Sequence, residues 1–575
     1  MAEFKYDYDY NIITKDNRTY DAIVIGSGMS GGWAAKELCE AGLKTLVLER
    51  GRIIQHIKDY PDINKEAWDH ELRGAITPED QKKHYKALRS NMVGQTTKDW
   101  LANDEENPFT EIKPFMWLRA HQMGGRSQLW GKQTYRLSDI DFEANAKEGV
   151  GVDWPIRYKD IAPWYSYVEK YVGISGQALG LPQLPDSEFL PPMELNCVEQ
   201  DVKTSIEQNF PDRVMTIGRV AHLTVPHNGR GQCQTRNKCG SGCPYSAYFS
   251  ANSVTLPAAN ATGNMTIRPW SIAHSLIYDE QQGKATGVKV IDAPSGEMVE
   301  FYAKIIFVNA STLSTTRILL NSTSSRFPNG LGNDSGELGH NLMDHTCRIG
   351  ALGTFEGHED KYYKGRRPNG IYIPRYWNVS EETKSDRFLR GFGFQGGAYR
   401  SGWRGGANRE GFGAAFKENL FKEAGPWEFF ITGFAECLPY HENKVSLNKE
   451  LLDKWGQPTL AIDCEWKDNE LALNQQIQVD AVEMLEKAGL KNVLGFDAHH
   501  EPGFGIHEMG TARMGRDPKT SVLNEFNQIH ACKNVYVTDG ACMTSSSCVN
   551  PSLTYMALTA RAVDHAVSAL KRMEL

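Results

Sequence analysis

Three cysteines share one glycine-rich stretch, Gly229 to Ala251, reading GRGQCQTRNKCGSGCPYSAYFSA. Cys233, Cys239 and Cys243 are spaced C-x5-C-x3-C, and Pro244 follows directly. The stretch has neither a helical nor a strand period, so its thiols are free to converge on a metal. Thiolates bind iron–sulfur clusters, and a proline after the last cysteine recurs in cluster loops. Three thiolates suit a three-iron cluster, or a four-iron cluster with a fourth ligand from elsewhere. Zinc competes, with His227 or His222 as fourth ligand. One disulfide and a spare thiol is the third reading. Of the eleven cysteines, Cys542 and Cys548 form the other close pair and read as two buried thiols or a disulfide, and the remaining six are scattered singly.

A second constellation binds rather than reacts. Asp21 to Arg52 reads DAIVIGSGMSGGWAAKELCEAGLKTLVLERGR. An apolar run, Ala22 to Ile25, enters the turn Gly26-Ser27-Gly28-Met29-Ser30-Gly31, a helical pattern follows, and a second apolar run, Thr45 to Leu48, ends in Glu49. This is the strand, turn, helix, strand order of a dinucleotide fingerprint. Gly26 permits the tight turn, Gly28 the approach of a pyrophosphate, and Gly31 close packing of helix on strand. The helix N-terminus at Met29 and Ser30 offers free N–H groups to phosphate, and Glu49 can accept hydrogen bonds from ribose hydroxyls. Which dinucleotide binds is not legible in the turn.

Two more glycine loops carry polar residues. His121 to Gln133 reads HQMGGRSQLWGKQ, where Gly124 and Gly125 suggest backbone close to a flat ligand, with Ser127 in the turn and Trp130 behind it. Gly505 to Gly515 joins His507 to another loop; its bland reading is a histidine satisfying backbone groups. Val535 to Gly540 is a strand ending in Asp539-Gly540. Asn550 stands before Pro551, which is favoured at a first helical position, so Asn550 resembles a helix cap.

The elements positioning these residues suit an α/β chain with a discontinuous Rossmann-type domain and a second β-sheet domain. Segments 1–55, 110–345 and 499–575 form the nucleotide-binding part, 56–109 an excursion, and 346–498 the second domain. A helix is expected over Pro78–Arg89 in the excursion; within the first part a helix is expected over Tyr158–Val172, and a hairpin near 284–291 leads to a strand over Ala303–Ala310 and a helix over Ser311–Asn321. The second domain has short strands rich in aromatics, Tyr372, Tyr376, Trp377, Phe392, Phe394, Tyr399 and Trp403 among them. Each could stack on a sugar face, yet an aromatic at strand spacing is more often core. Helices are expected over Asp468–Ala488 and Leu553–Lys571.

At 575 residues, with 40% apolar and 23% charged residues, the composition is that of a globular protein of more than one domain. A formal net charge of −8 argues against nucleic acid as partner. No run of about 18 apolar residues encodes a transmembrane helix. The first residues have neither a basic nor an apolar signal region, so a secretion signal of the chain's own is not expected.

Taken in order, the motifs resemble the glucose–methanol–choline oxidoreductase family across nearly the whole chain. The matching pieces are the fingerprint, GGRSQLWG, DWPIRYKDIAPWYSYVE, IIFVNASTLSTTRILLNS, GHNLMDH (Gly339 to His345), HEMGTARMG and NVYVTDGACMTSSSCVNPSLTYMAL. The resemblance implies FAD, with Gly124, Gly125, Ser127, Trp130, Asp539, Gly540 and Asn550 joining the fingerprint in holding it. It implies oxidation of an alcohol by hydride transfer to flavin, with His507 as base and Asn550 as its partner. Leu129 stands where some relatives attach FAD through histidine, so the flavin is expected to be noncovalent. The cysteine triplet resembles that of bacterial sugar dehydrogenase catalytic subunits, and within that group the sequence looks most like the glucoside 3-dehydrogenases. That implies a 3Fe-4S cluster on Cys233, Cys239 and Cys243, oxidation at C3 of a sugar or glycoside, and a cytochrome c acceptor. It further implies a small twin-arginine-signalled subunit and a periplasmic location by co-export, a cytoplasmic enzyme being the alternative.

Overall fold

The computed structural model describes residues 6–12, 17–90, 92–361, 370–400, 411–422 and 425–575; Trp403 lies outside them. The first strands are β1 (Thr19–Ile25), β2 (Thr45–Leu48), β3 (Thr110–Glu111) and β4 (Thr216–Ile217). Next come β5 (Met265–Arg268), β6 (Ser271–Asp279), β7 (Lys284–Asp292) and β8 (Met298–Val308). A second run holds β9 (Thr346–Phe355), β10 (Ile371–Ile373), β11 (Phe392–Arg400), β12 (Trp427–Ala435), β13 (Lys444–Leu452), β14 (Pro458–Asp463) and β15 (Lys491–Asp497). The last are β16 (Gln528–Ile529) and β17 (Cys532–Tyr536).

The first sheet runs β16-β17-β8-β1-β2-β5, with β6 and β7 forming an antiparallel meander onto β8. β1 is parallel to both β2 and β8. Its residues Ala22 to Ile25 are buried, the continuous apolar run of a strand covered on both faces. The helices Met29–Glu40 and Ser552–Lys571 pack on each other beside this sheet. β8 therefore returns into the nucleotide-binding sheet more than 250 residues after β2, as the apolar run at Ala303–Ala310 leads one to expect.

The second sheet runs β15-β9-β12-β11-β10-β4. Along β11, Phe392, Phe394 and Ala398 are buried, and along β12, Trp427, Phe429, Ile431 and Ala435; all belong to a core shared with the helices Cys197–Asn209 and Asp468–Lys487. Alternation sends the residues between them to the opposite face. β4 brings residues 216–217 to this sheet, and β3 joins β13 and β14 in a small third sheet.

Two local expectations shift. The helix over Pro78–Arg89 is broken into Pro78–Lys83 and a 3-10 turn, Ala87–Ser90. The Asp104 carboxylate takes the backbone N–H groups of Lys86 and Ala87, each at 3.1 Å, drawing them out of the helical ladder. The last helix starts at Ser552 with Pro551 as its cap residue, and no side chain caps it. Asn550 is therefore not a helix cap.

Where the two sheet systems meet, Glu436 is fully buried and neither carboxylate oxygen has a hydrogen-bond partner. Arg390 Nη1 lies 3.7 Å away, while Arg390 Nε pairs with Glu148 at 2.8 Å. Burial pushes the Glu436 carboxyl up to about 7, against the pull of Arg390. The folded state then holds a proton that the unfolded chain releases nearer pH 4.5, so this group lowers stability as pH rises from there to about 7. Glu436→Gln removes that dependence. Its unfolding free energy, read from denaturant titration, should match the parent near pH 4.5 and exceed it at pH 8 by up to about 3 kcal/mol.

Candidate functional site

The glycine turn after β1 has no room for a side chain at Gly26 or Gly31. Gly26 has φ +93°, and a Cβ there would stand 2.3 Å from the Asn309 carbonyl oxygen; one on Gly31 would stand 2.0 Å from Gly26 O. The helix begins at Met29, and no side chain caps it at Gly28. Its first N–H groups, on Met29, Ser30 and Gly31, are thus left for an anion. The Ser30 hydroxyl donates to Thr538 O at 3.2 Å, tying this turn to the strand end before Asp539.

Glu49 is buried, which raises its carboxyl above the usual range. It accepts from the Ser27 hydroxyl and from Gly51 N, the latter at 2.9 Å. Ser27 Oγ in turn accepts from Gly124 N at 3.0 Å, joining the first glycine turn to the second. A Cβ on Gly125 would lie 3.5 Å from Gly28 Cα, so the two turns cross in contact.

Several expected cofactor residues also bond to the protein itself. The Ser127 hydroxyl donates to Gly124 O and accepts from Ala251 N at 3.0 Å. Trp130 Nε1 donates to Phe249 O at 2.9 Å. The Asp539 carboxylate accepts from Ala541 N at 3.0 Å and Thr315 Oγ1 at 2.5 Å, and burial raises it to about 6. Gly540 would place a Cβ 2.3 Å from Glu508 O.

The cradle fits a dinucleotide on independent grounds. Buried Gln128 Nε2, Asn252 Oδ1 and Tyr555 OH have no hydrogen-bond partner, and Asn252 Oδ1 stands 3.0 Å from the Cβ position of Gly124. One residue beyond Glu49, Arg50 lines a cavity with Asn107, Trp117, Arg119, His121 and Arg317. The residues that would hold FAD are thus Gly26 to Gly31, Glu49, the Gly124–Gly125 backbone and Gly540.

His507 and Asn550 meet. Asn550 Nδ2 is 3.4 Å from His507 Nε2, and His507 Nδ1 is 2.9 Å from His345 Nδ1. His345, the last residue of GHNLMDH, assigns the protons. Its Nε2 faces only carbonyl oxygens, of Ser547 at 2.8 Å and Ser546 at 3.3 Å, so Nε2 must carry a hydrogen. Burial pushes His345 down to about 4, so the ring is neutral and its Nδ1 bare. His507 Nδ1 must then donate. Burial, followed by His345 and Arg126, holds His507 well below the usual histidine range, so it too is neutral and its Nε2 is a lone pair beside the Asn550 amide.

The loop presenting His507 is held from both ends. Asp344 accepts from Gly505 N and His507 N, each at 2.9 Å, and burial with Glu508 nearby raises its carboxyl to about 7. Arg126 forks onto Glu508 at 3.0 and 2.6 Å. Ile506 and Thr511 have φ +60° and +76°, costly for β-branched residues and typical of loops whose surroundings over-determine them. In the sequence, the motif ending in His345 carries the family resemblance without marking a role for that residue; its Asp-His pair before a strand is the available signal.

The cysteine triplet lies against the 128–132 segment. Tyr248 OH donates to Gln128 O at 3.3 Å, and buried Lys132 sits 4.2 Å over the Tyr248 ring. Burial lowers Lys132 to about 8 against the pull of Cys239 and Cys243. Burial raises the thiols of Cys233 and Cys239, and neighbouring cysteines add to it, so the three share one electrostatic neighbourhood. His222 is buried with Nε2 3.7 Å from Cys239 Sγ and Nδ1 unpartnered, whereas His227 Nε2 faces Lys170 O at 2.8 Å.

None of the three cysteines, nor Cys542 and Cys548, is in a disulfide. Among the described residues no three His, Cys, Asp or Glu side chains converge to hold a metal ion. A zinc site needs four ligands around one point, and that arrangement is not formed.

Of the aromatics, Tyr372, Tyr376, Phe392 and Phe394 are buried in cores and Trp377 packs against one. Tyr399 and Phe430 meet on the other face of the second sheet, and Phe434 brings its ring centre 6.3 Å from that of His507.

Comparison with known proteins agrees with this geometry. Residues 20–347 and 439–559 match the N- and C-terminal models of the GMC oxidoreductase family. The chain is 28% identical over 571 residues to 2-methyl-1,2-propanediol dehydrogenase of Mycolicibacterium austroafricanum, covering 95% of this chain and 94% of the relative. It is 23% identical to the fructose dehydrogenase large subunit of Gluconobacter japonicus, covering 97% and 100%. Its fold is similar to that of an Aspergillus oryzae RIB40 formate oxidase variant, with TM-score 0.61 at 14% identity, covering 98% and 100%. With a dinucleotide-type glycine turn, a histidine–asparagine pair and family models matching most of its length, the chain belongs to the GMC oxidoreductases, FAD-dependent enzymes acting on hydroxyl groups.

Proposed function

We propose that this protein is a dehydrogenase that oxidises a secondary hydroxyl of a sugar or glycoside, with C3 as the carbon attacked. The observation that carries the reading is the hydrogen-bonded order His345, His507, Asn550, which leaves one bare imidazole nitrogen beside one amide donor. Bound noncovalently, FAD supplies a hydride acceptor. The chain supplies the rest: His507 Nε2 takes the hydroxyl proton, and Asn550 Nδ2 donates to the same oxygen as it becomes a carbonyl oxygen. The alcohol thereby loses one hydride and one proton and leaves as a ketone. Names of relatives that act on a diol and on a sugar support the substrate class.

In the same proposal, Cys233, Cys239 and Cys243 carry a 3Fe-4S cluster, which would supply a one-electron exit. A cytochrome-type acceptor, a small partner subunit and periplasmic co-export complete it; the large-subunit name of the Gluconobacter japonicus relative supports the partner. Among the described residues no helix is long and apolar enough to cross a membrane.

Anaerobic addition of methyl glucosides should bleach the flavin spectrum, and NMR of the product should show a ketone at C3. No bleaching by any sugar sinks the reading. Iron with acid-labile sulfide should accompany the pure protein, and zinc alone would overturn the electron route. The pH dependence has a definite sign. The active form of His507 is neutral and its proton affinity is depressed, so the rate of flavin reduction should stay level from pH 8 to 6 and fall only at lower pH, as the ring protonates.

A further inference from the structure

The amide of Asn550 has a second end. Gln395 Nε2 donates to Asn550 Oδ1 at 2.7 Å, which fixes the amide with its oxygen toward Gln395 and its Nδ2 toward His507. Gln395 lies on β11 between Phe394 and Gly396, on the face opposite the buried Phe392, Phe394 and Ala398. Its register partners, Tyr372 on β10 and Thr432 on β12, share that face, and so does Phe434, whose ring approaches His507. This face of the sheet is therefore the wall over the catalytic pair.

One N–H of Gln395 is spent on Asn550. Its carbonyl, Oε1, makes no hydrogen bond to protein among the described residues, and the side chain is only half-buried. An amide oxygen in such a place takes an O–H or N–H donor. Gln395 and His507 thus stand against the two ends of one amide, Gln395 at Asn550 Oδ1 and His507 at Asn550 Nδ2.

We propose that Gln395 reads a second hydroxyl, on the carbon next to the one oxidised, so that the substrate class of this site is the vicinal diol or polyol. The inference rests on the dehydrogenase reading above and narrows it. The reacting hydroxyl lies between His507 and Asn550 while its neighbour donates to Gln395 Oε1. Two-point holding fixes the rotation of the substrate, so one carbinol C–H is presented to the hydride acceptor instead of several. A molecule with a single hydroxyl has only one of the two anchors and leaves the Gln395 carbonyl without its donor.

The test uses the holoenzyme, with anaerobic flavin bleaching read for methyl α-D-glucopyranoside and its 2-, 3- and 4-deoxy analogues. In the parent, the analogue lacking the oxidised hydroxyl gives no bleaching. An analogue lacking a neighbouring hydroxyl should lose roughly 10- to 100-fold in kcat/KM. In Gln395→Met all rates fall, because Asn550 loses its anchor, but that penalty should shrink to near unity. A penalty persisting undiminished in Gln395→Met overturns the proposal. Gln395→Lys keeps a donor for Asn550 Oδ1 but has no acceptor, so it should lose the penalty with the amide still anchored; it stands in if Gln395→Met loses FAD, and an undiminished penalty there overturns the proposal. If no glucoside bleaches the parent, the sugar reading fails by itself. The diol proposal is then decided by trans-1,2-cyclohexanediol against cyclohexanol: a preference for the diol that Gln395→Met abolishes supports it, and equal rates in the parent overturn it.

Discussion

His507→Ala should slow substrate-dependent flavin bleaching by about 10²- to 10⁴-fold, the span a positioned general base contributes. The whole effect should appear in the reductive half-reaction, because the ring's hydrogen-bond partners are His345 and Asn550 and not the glycine turns' backbone. Flavin content, read from the visible spectrum, should therefore be that of the parent. Asn550→Ala removes a donor aimed at the oxygen that gains charge and should cost about 10²- to 10³-fold. The two losses should combine to less than their product, since both groups act on one oxygen and Asn550 Nδ2 is itself 3.4 Å from His507 Nε2. A His507→Ala protein that bleaches at the parent rate would remove histidine from the chemistry altogether.

The second large effect belongs to a residue that never meets the substrate. His345 stands behind His507, and its sole contribution to the reaction is to leave a bare nitrogen facing His507 Nδ1. Without it, His507 is free to carry its proton on Nε2, where the hydroxyl must be deprotonated. His345→Ala should slow flavin reduction by about 10²- to 10⁴-fold, the scale of losing a tautomer-setting partner. His345→Gln is the informative comparison, because its amide can accept from His507 Nδ1 and still donate to the Ser547 carbonyl. It should recover much of the rate. Stopped-flow reduction of both variants decides the matter, and equal losses in the alanine and glutamine proteins would reduce His345 to packing.

Much of this site is written locally. The dinucleotide turn is legible because its glycines, flanking apolar runs and closing Glu49 lie within 30 residues, where strand and helix periods can be checked against each other. The Tyr158–Val172 helix and the return strand β8 are legible for the same reason. His507 and Asn550 emerge from their surrounding motifs, but their contact does not, and Asn550 even imitates a helix cap because Pro551 follows it. His345 and Gln395 are 162 and 155 residues from the side chains they orient. No period or spacing encodes such a distance; only the pairing of β9 to β12 and of β12 to β11 delivers them. The cysteine spacing advertises metal chemistry, while the selection between one ion and a cluster waits on where the sulfurs stand.

The bond from Ser30 to the Thr538 carbonyl spans 508 residues of sequence. It has a temporal meaning. β1 needs β8 as its neighbour, β8 needs β17, and the glycine turn needs the segment following β17, so the grip on the nucleotide cannot close on a ribosome-bound nascent chain until residue 540 has emerged. A chain cut short of Thr538 lacks this bond, so its first glycine turn would have to stand without the segment after β17.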